Sequence, residues 1–255
     1  MRRAVVILTV RPSVIWMDFL STFTEYDLFI VCDCNKYDYH TVWRISYPKI
    51  RFIQIPASVA ADAGFSNLST AVSPSQIVNA WDKAVYYFSR DQTYGHVWFI
   101  EEDVYFHDEK TILDIDRQYD AVDLLCSPIT SKDHDRESPW FWHWPQIQIS
   151  LPEPHYRAMM CAIRVSRNLL SSLARYAERY NTLFFLEALF PTVAKYHGLR
   201  CVEPTELSTV RYQHDWAIQD LDKIHLYHPM KNLIEQRDAR TIERFFHLSG
   251  LNLKV

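Results

Sequence analysis

Glycine is almost missing from this chain: 255 residues carry four, Gly64, Gly95, Gly198 and Gly250. So few cannot spell G-x-G-x-x-G or G-x-x-x-x-G-K-[ST], which excludes the backbone cradles that hold phosphate in dinucleotide folds and P-loop NTPases. Any phosphate has to be gripped by side chains or by a metal. Positive charge is not in surplus either. Lys and Arg number 27 against 31 Asp and Glu, a formal charge of -4 with a pI of 6.2, so no nucleic acid partner is expected. Long apolar runs are absent too. The stretch 4–10 that follows Met1-Arg2-Arg3 stops at Arg11 and Pro12, short of the roughly 18 residues of a membrane span, and reads as a first buried strand rather than a signal start. Cysteine is sparse and odd in number: Cys32, Cys34, Cys126, Cys161 and Cys201. Most lie inside apolar runs, and Cys32 and Cys34 have no second pair at zinc spacing. Buried reduced thiols in a cytoplasmic compartment are the expectation.

What the chain does have is apolar bulk, 48% of its residues. A domain of this length buries roughly three quarters of its unfolded surface, and disorder is excluded. Residues 4–10 and 27–34 are runs apolar on both faces, as a central parallel sheet covered by helices requires, 50–55 makes a third short strand, and 97–100 and 122–126 are further buried strands. Ser73-Pro74 offers an N-cap and first-turn proline for a helix carrying Ile77, Trp81, Ala84, Val85 and Phe88 at helical spacing. Beyond residue 127 the pattern loosens. Five prolines and the run Trp140-Phe141-Trp142-His143-Trp144 fall in 128–154 and predict a long irregular loop. A strand over 157–165, a helix over 168–180, a helical stretch over 182–197 interrupted at Pro191, a strand at 199–202 and a short helix over 241–248 complete the reading. This is an α/β chain with an open, mostly parallel sheet flanked by helices, expected as a single domain over 1–255 whose first half, to 127, is the more regular.

The most informative segment is His96-Val-Trp-Phe-Ile-Glu-Glu-Asp103. In open α/β sheets ligands sit outside the carboxyl ends of the strands, so three acids directly after four apolar residues stand at the functional edge. Adjacent carboxylates repel unless a cation or base offsets them. Glu101 and Asp103 on a turn give Mg²⁺ or Mn²⁺ two hard oxygen ligands, with positions left for substrate phosphates. The plainer alternative is a solvated acidic loop. Asp33, also at a strand end, suits a base or ribose contact or an Asx turn before Asn35. Gln76, Asn79 and Lys83 share one face of the helix from Pro74, polar in either a solvated or a ligand-facing role. Glu187 stands alone among Leu183, Phe184, Phe185, Leu186, Leu189 and Phe190; unpaired burial raises its pKa toward that of a general base, whereas a partner such as Arg175 or Arg179 makes it structural.

At Phe99-Ile100-Glu101-Glu102-Asp103 the sequence resembles the GT-A glycosyltransferases, whose sugar-nucleotide half ends a strand in a D-x-D-type motif, here in a Glu-Glu-Asp version. The resemblance covers residues 4 to about 231 as an order of elements. It implies a nucleotide-sugar-binding half at 1–127 and an acceptor-side half at 128–255. It also implies a divalent metal, Mn²⁺ or Mg²⁺, on Asp103, with Glu101 nearer the ribose or the metal's water and Glu102 beside it. Thr9 and Arg11 resemble the donor-base loop, and Asn79 and Lys83 stand where polar nucleotide contacts are drawn. His228-Pro-Met-Lys231 is similar to the late segment in which a histidine completes the metal shell and a lysine meets diphosphate, and Glu187 falls where inverting members carry the base. The partners implied are a UDP- or GDP-sugar donor and a glycan or glycoprotein acceptor. Trp142 and Trp144 could stack on sugar rings and His143 could reach an acceptor hydroxyl, or the loop could be anchored by its own aromatics, as favoured for Trp140 and Phe141. Two rivals remain. A metal-dependent nucleotidyltransferase would use the same acids but needs a Gly- and Lys-rich triphosphate loop that Val10-Arg-Pro-Ser13 does not supply. A catalytically silent sugar- or nucleotide-binding module would have affinity without turnover.

Overall fold

The computed structural model describes residues 2–71, 76–134 and 142–249, the last eight of these as helix backbone only. In chain order the elements are β1 (Arg2–Thr9), α1 (Val14–Ser21), β2 (Asp27–Cys32), α2 (Tyr39–Trp43), β3 (Ile50–Ile53), α3 (Ala57–Asp62), α4 (Ala80–Arg90), β4 (Tyr94–Glu101), α5 (Glu109–Gln118), β5 (Leu124–Leu125), β6 (Thr130–Ser131), β7 (Tyr156–Arg157), β8 (Ala162–Ser166), α6 (Arg167–Tyr180), α7 (Leu186–Tyr196), β9 (Cys201–Val202) and α8 (Leu233–Ser249). Seven strands form an open sheet in the order β3-β2-β1-β4-β8-β5-β9, and β6 pairs with β7 separately. The pairs β1/β2, β1/β4, β2/β3 and β5/β9 are parallel, while β8 runs antiparallel to both of its neighbours. The expected open, mostly parallel sheet flanked by helices is the one found.

Side chains alternate along each strand between two separate cores. Val6, Leu8, Phe29, Val31, Val97 and Phe99 pack under α3, α4, α6 and α7. Val5, Ile7, Leu28, Ile30, Trp98 and Ile100 pack under α1, α2 and α5. Both faces are covered, so these strands show no polar alternation in the sequence.

Three expectations change in detail. The helix expected from Ser73-Pro74 begins at Ala80, because Asn79 and Asp82 form a capping box in which each side chain accepts from the other's backbone N–H. Residues 72–75 lie outside the described part, and Gln76 and Asn79 precede the helix, so they share no helical face with Lys83. The single strand expected over 157–165 is two, β7 and β8, in different sheets. Pro191 does not interrupt α7: its missing N–H spares the Glu187 carbonyl, which accepts the Ala158 N–H instead at 3.1 Å. The last helix starts at Leu233, capped by the Asn232 side chain, rather than at residue 241.

Gly64 ends the α3 turn at φ +83°, and a Cβ there would stand 2.4 Å from the Ala177 carbonyl oxygen of α6. Backbone strain and backbone overlap act together, so Gly64→Ala is expected to lower stability by about 1–3 kcal/mol in urea unfolding. An unchanged midpoint would mean that α6 yields freely.

Candidate active site

The carboxyl ends of β1, β2 and β4 open into a cleft of about 490 Å³, lined by Thr9, Asp33, Asn79, Trp81, Glu101, Glu102, Asp103 and Lys231 among others. Parallel register makes this so: Leu8 is paired with Glu101 and Thr9 with Cys32, so three strand ends stop level and their next residues face one space.

The acidic turn is held from several sides. The Trp81 indole N–H donates to Glu101 Oε1 at 2.6 Å, and the Thr9 hydroxyl donates to Glu102 Oε2 at 2.5 Å. The Glu102 carbonyl accepts from Trp16 Nε1 at 2.9 Å and from Gln236 Nε2 at 3.0 Å, and the Met230 N–H donates to the Asp103 carbonyl at 2.6 Å. Burial pushes the Glu101 carboxyl up and the neighbouring Asp103 charge adds to this, against the Trp81 bond. Glu102 is likewise raised by burial, opposed by its bond from Thr9. This is an acidic site short of positive charge, the condition a cation relieves.

His228 comes to the turn from the far end of the chain. Its Nε2 lies 3.5 Å from Asp103 Oδ2, and its Nδ1 lies 2.7 Å from the Arg211 carbonyl. With Nδ1–H donated to that carbonyl, Nε2 is the ring atom that faces the acids. Burial works against charge on this imidazole, but the hydrogen bond and charge of Asp103, with Glu101, outweigh it and raise its pKa. The sulfur of Cys161 is the group that sequence reasoning missed. One ligand atom each from Glu101, Cys161 and His228 lie within 4.8 Å of one another. Carboxylate, thiol and imidazole at that spacing fit a divalent cation; Asp103 stands outside this group but next to His228, whose second contact is the kind that orients a metal ligand.

Glu187 sits in the first turn of α7, 8% exposed. The helix start is zipped onto the segment after α3 by Leu183 N–H to the Ser66 carbonyl, Phe185 N–H to Asn67 and Leu186 N–H to Leu68. Phe185 is held there at φ +61°, a strained conformation for a bulky residue. Burial pushes the Glu187 carboxyl up to about 7, against the Trp142 indole N–H that donates to Oε2 at 2.9 Å, and the charges of Glu101 and His228 also act on it. The alternative of a buried ion pair with Arg175 or Arg179 is not what holds it; Arg175 bonds Ser172 and Arg179 lies over the Tyr180 ring.

Other residues fall differently from expectation. Lys83 is buried, its ammonium donating to the Asp33 carbonyl at 2.6 Å and to Oδ1 at 3.2 Å, so it braces the end of β2 instead of facing the cleft. Asn79 lines the cleft but its side-chain oxygen is engaged as the α4 cap. Arg11 is exposed beside the mouth. Trp142 and Trp144 do not offer faces for stacking: they are 0% and 5% exposed, edge-to-face with each other at 5.0 Å, and Trp142 packs on Phe185. Their apolar area is buried in the core because the one polar atom of Trp142 finds Glu187 inside. His143 is exposed. Trp140 and Phe141 lie outside the described residues.

No family model and no curated protein matches this chain. Among solved structures it is similar to galactosyltransferase LgtC in complex with donor and acceptor sugar analogs, at 15% identity and TM-score 0.48, over 99% of this chain and 97% of that one. It is similar to 4-diphosphocytidyl-2C-methyl-D-erythritol synthase from Anaerococcus prevotii, at 11% identity and TM-score 0.46, over 95% and 96%. Mouse xyloside xylosyltransferase 1 is a third, at 9% identity and TM-score 0.41, over 80% and 84%. With TM-scores below 0.5 none of these bears on the chemistry of the site, which rests on this chain's own residues. Among the described residues no helix is long and apolar enough to cross a membrane.

Proposed function

We propose that this chain is a metal-dependent glycosyltransferase of the GT-A type, moving a sugar from a UDP- or GDP-sugar to the hydroxyl of a glycan or glycoprotein acceptor with inversion at the anomeric carbon. One observation carries the reading: a buried carboxyl, Glu187, with a pKa raised to about 7 and acted on by the charge of Glu101, at an acidic strand end that lines a cleft. That pairing supplies a base for a hydroxyl and a grip for a diphosphate without any glycine loop.

Asp103 and His228 would hold the divalent cation, with Mn²⁺ or Mg²⁺ the ions expected for the family. When bound, the ion offsets the charge that develops on the departing diphosphate. Asp33, braced by Lys83, would take the ribose, and Thr9 would hold Glu102 out of its way. Lys231, exposed on the lip of the cleft, would meet diphosphate oxygens as a point charge. Glu187 would take the acceptor proton as the hydroxyl oxygen bonds to the anomeric carbon from the face opposite the leaving oxygen. The Trp142 indole N–H on Oε2 orients the Glu187 carboxyl.

Calorimetric titration with UDP- and GDP-sugars in the presence and absence of Mn²⁺ tests the donor site. Binding is expected only with the ion, and Asp103→Ala is expected to abolish it. Equal binding by the variant would remove Asp103 from the cation site.

A further inference from the structure

β4 and β8 run antiparallel with His96 opposite Ser166 and Ile100 opposite Ala162. One further step of that register sets Glu101 opposite Cys161, where the Glu101 N–H donates to the Cys161 carbonyl at 2.8 Å. The pairing of two strands therefore delivers a sulfur to the acidic turn, at the edge where parallel neighbours deliver only strand ends. His228 meets both, with ligand atoms of the three residues within 4.8 Å of one another.

We propose that Cys161 is itself a ligand of the cation, as a thiolate, and that the site therefore selects a thiophilic divalent ion of the zinc class and rejects magnesium. The inference rests on the reading of Asp103 and His228 as the cation site and names the ion that the site takes.

Three observations support it. A zinc ion with metal–ligand distances of about 2.0–2.3 Å needs ligand atoms roughly 3–4 Å apart, so the present spacing requires only a small inward movement. The surroundings of Cys161 are polar where it matters. It is 8% exposed and faces a carboxylate and an imidazole, whereas Cys32 and Cys126, both 0% exposed, belong to no such cluster among the described residues. The tautomer is already set, since the Arg211 carbonyl at His228 Nδ1 leaves Nε2 as the ligand atom. On binding, the thiol S–H bond breaks, its proton leaves to solvent and a sulfur–metal bond forms; no electron changes hands. Oxygen and imidazole ligands alone accept magnesium or manganese, but a sulfur ligand penalises a hard ion that dehydrates reluctantly.

Loading the protein with Co²⁺ reads the ligand directly. A thiolate-to-cobalt charge-transfer band in the near ultraviolet is expected in the native protein and absent from Cys161→Ser, with the weaker visible ligand-field bands kept. In chelator-buffered competition Cys161→Ser is expected to weaken Zn²⁺ by more than about 100-fold, beyond the usual cost of an outer partner, and to shift the preference toward Mn²⁺. Cadmium NMR of the native protein gives the same answer without a variant, since a sulfur ligand moves the resonance strongly downfield. Bound Co²⁺ with ligand-field bands alone overturns the inference and leaves the cation site on Asp103 and His228 standing. A charge-transfer band that survives in Asp103→Ala together with undiminished donor binding supports the sulfur ligand and removes the donor-site reading instead. No ion bound at all overturns both.

Discussion

Glu187→Gln is expected to lower kcat by about 10²–10⁴-fold while donor affinity stays where it was, because the amide keeps the size and the Trp142 bond but cannot take a proton. The native rate is expected to rise with pH and level off above the Glu187 pKa of about 7, which burial sets and the Trp142 bond holds down. Trp142→Phe removes that lowering influence, so its midpoint should move to higher pH. A binding module differs in one respect: the native protein has no turnover for the variant to lose. Stability carries the same signature. A carboxyl with an ordinary value of 4.5 raised to about 7 keeps its proton in the folded state and loses it in the unfolded chain between those values. Stability should therefore fall as pH rises through that window, by about 3 kcal/mol at most from this group, and Glu187→Gln should remove that component of the slope. A pH–rate profile that is flat from 5 to 9, within about twofold, would sink the base assignment.

Asp116→Ala is expected to destabilise the fold by about 3–5 kcal/mol. Asp116 and Arg164 are both fully buried, with Arg164 Nη1 on Asp116 Oδ1 at 2.8 Å. Asp116 also accepts from Trp98 Nε1 at 3.1 Å and from the Tyr26 hydroxyl at 2.6 Å, and that hydroxyl's pKa is pushed up by burial and by the Asp116 charge. Arg164 Nη2 spends its remaining donors on the Tyr119 and Val122 carbonyls. Alanine leaves a buried guanidinium and two indole or phenol donors without their acceptor, and the unpaired charge dominates the cost. Replacing both partners, as in Asp116→Ala with Arg164→Met, should recover part of the loss. Urea unfolding of the two single variants and the double variant measures the coupling; a single-variant loss under about 1 kcal/mol would show that the knot is passive. Trp98 and Arg164 face each other in the same strand pair that ends in Glu101 and Cys161, so this knot anchors the register on which the site depends.

Much of this was legible in the chain. The runs at 4–8, 28–32 and 97–100 are apolar at every position because both sheet faces are covered, and a continuous run is a local signal. Three acids after Ile100 and a lone acid in the phenylalanine-rich stretch around Glu187 are equally local. What escaped depends on partners distant in sequence. Cys161 looks like any buried thiol until β8 is paired with β4, and nothing near residue 161 announces that register. Lys83 looks like a solvated helix face until β2 and α4 are packed, which brings it under Asp33. Trp142 looks like a sugar platform until α7 presents Glu187 to it. Helices α1 and α5 were unread because their buried positions, such as Met17 and Ile112, sit among aromatics or charged residues that blur the period.

The antiparallel strand β8 makes the protein indivisible. It comes from the second half of the chain and closes the outer side of β4. Without it, Val97, Trp98, Phe99 and Ile100 would form an open border of unpaired N–H and C=O groups, flat, apolar and ready to recruit the same strand from other copies. The side chains proposed to hold a cation come from both halves of the chain, with Glu101 and Asp103 at the end of β4, Cys161 just before β8 and His228 from a later segment. A fragment ending at residue 127 would leave β4 with that open edge. Residues as distant as His96 and Ser166 must meet before the ends of β4 and β8 stand side by side.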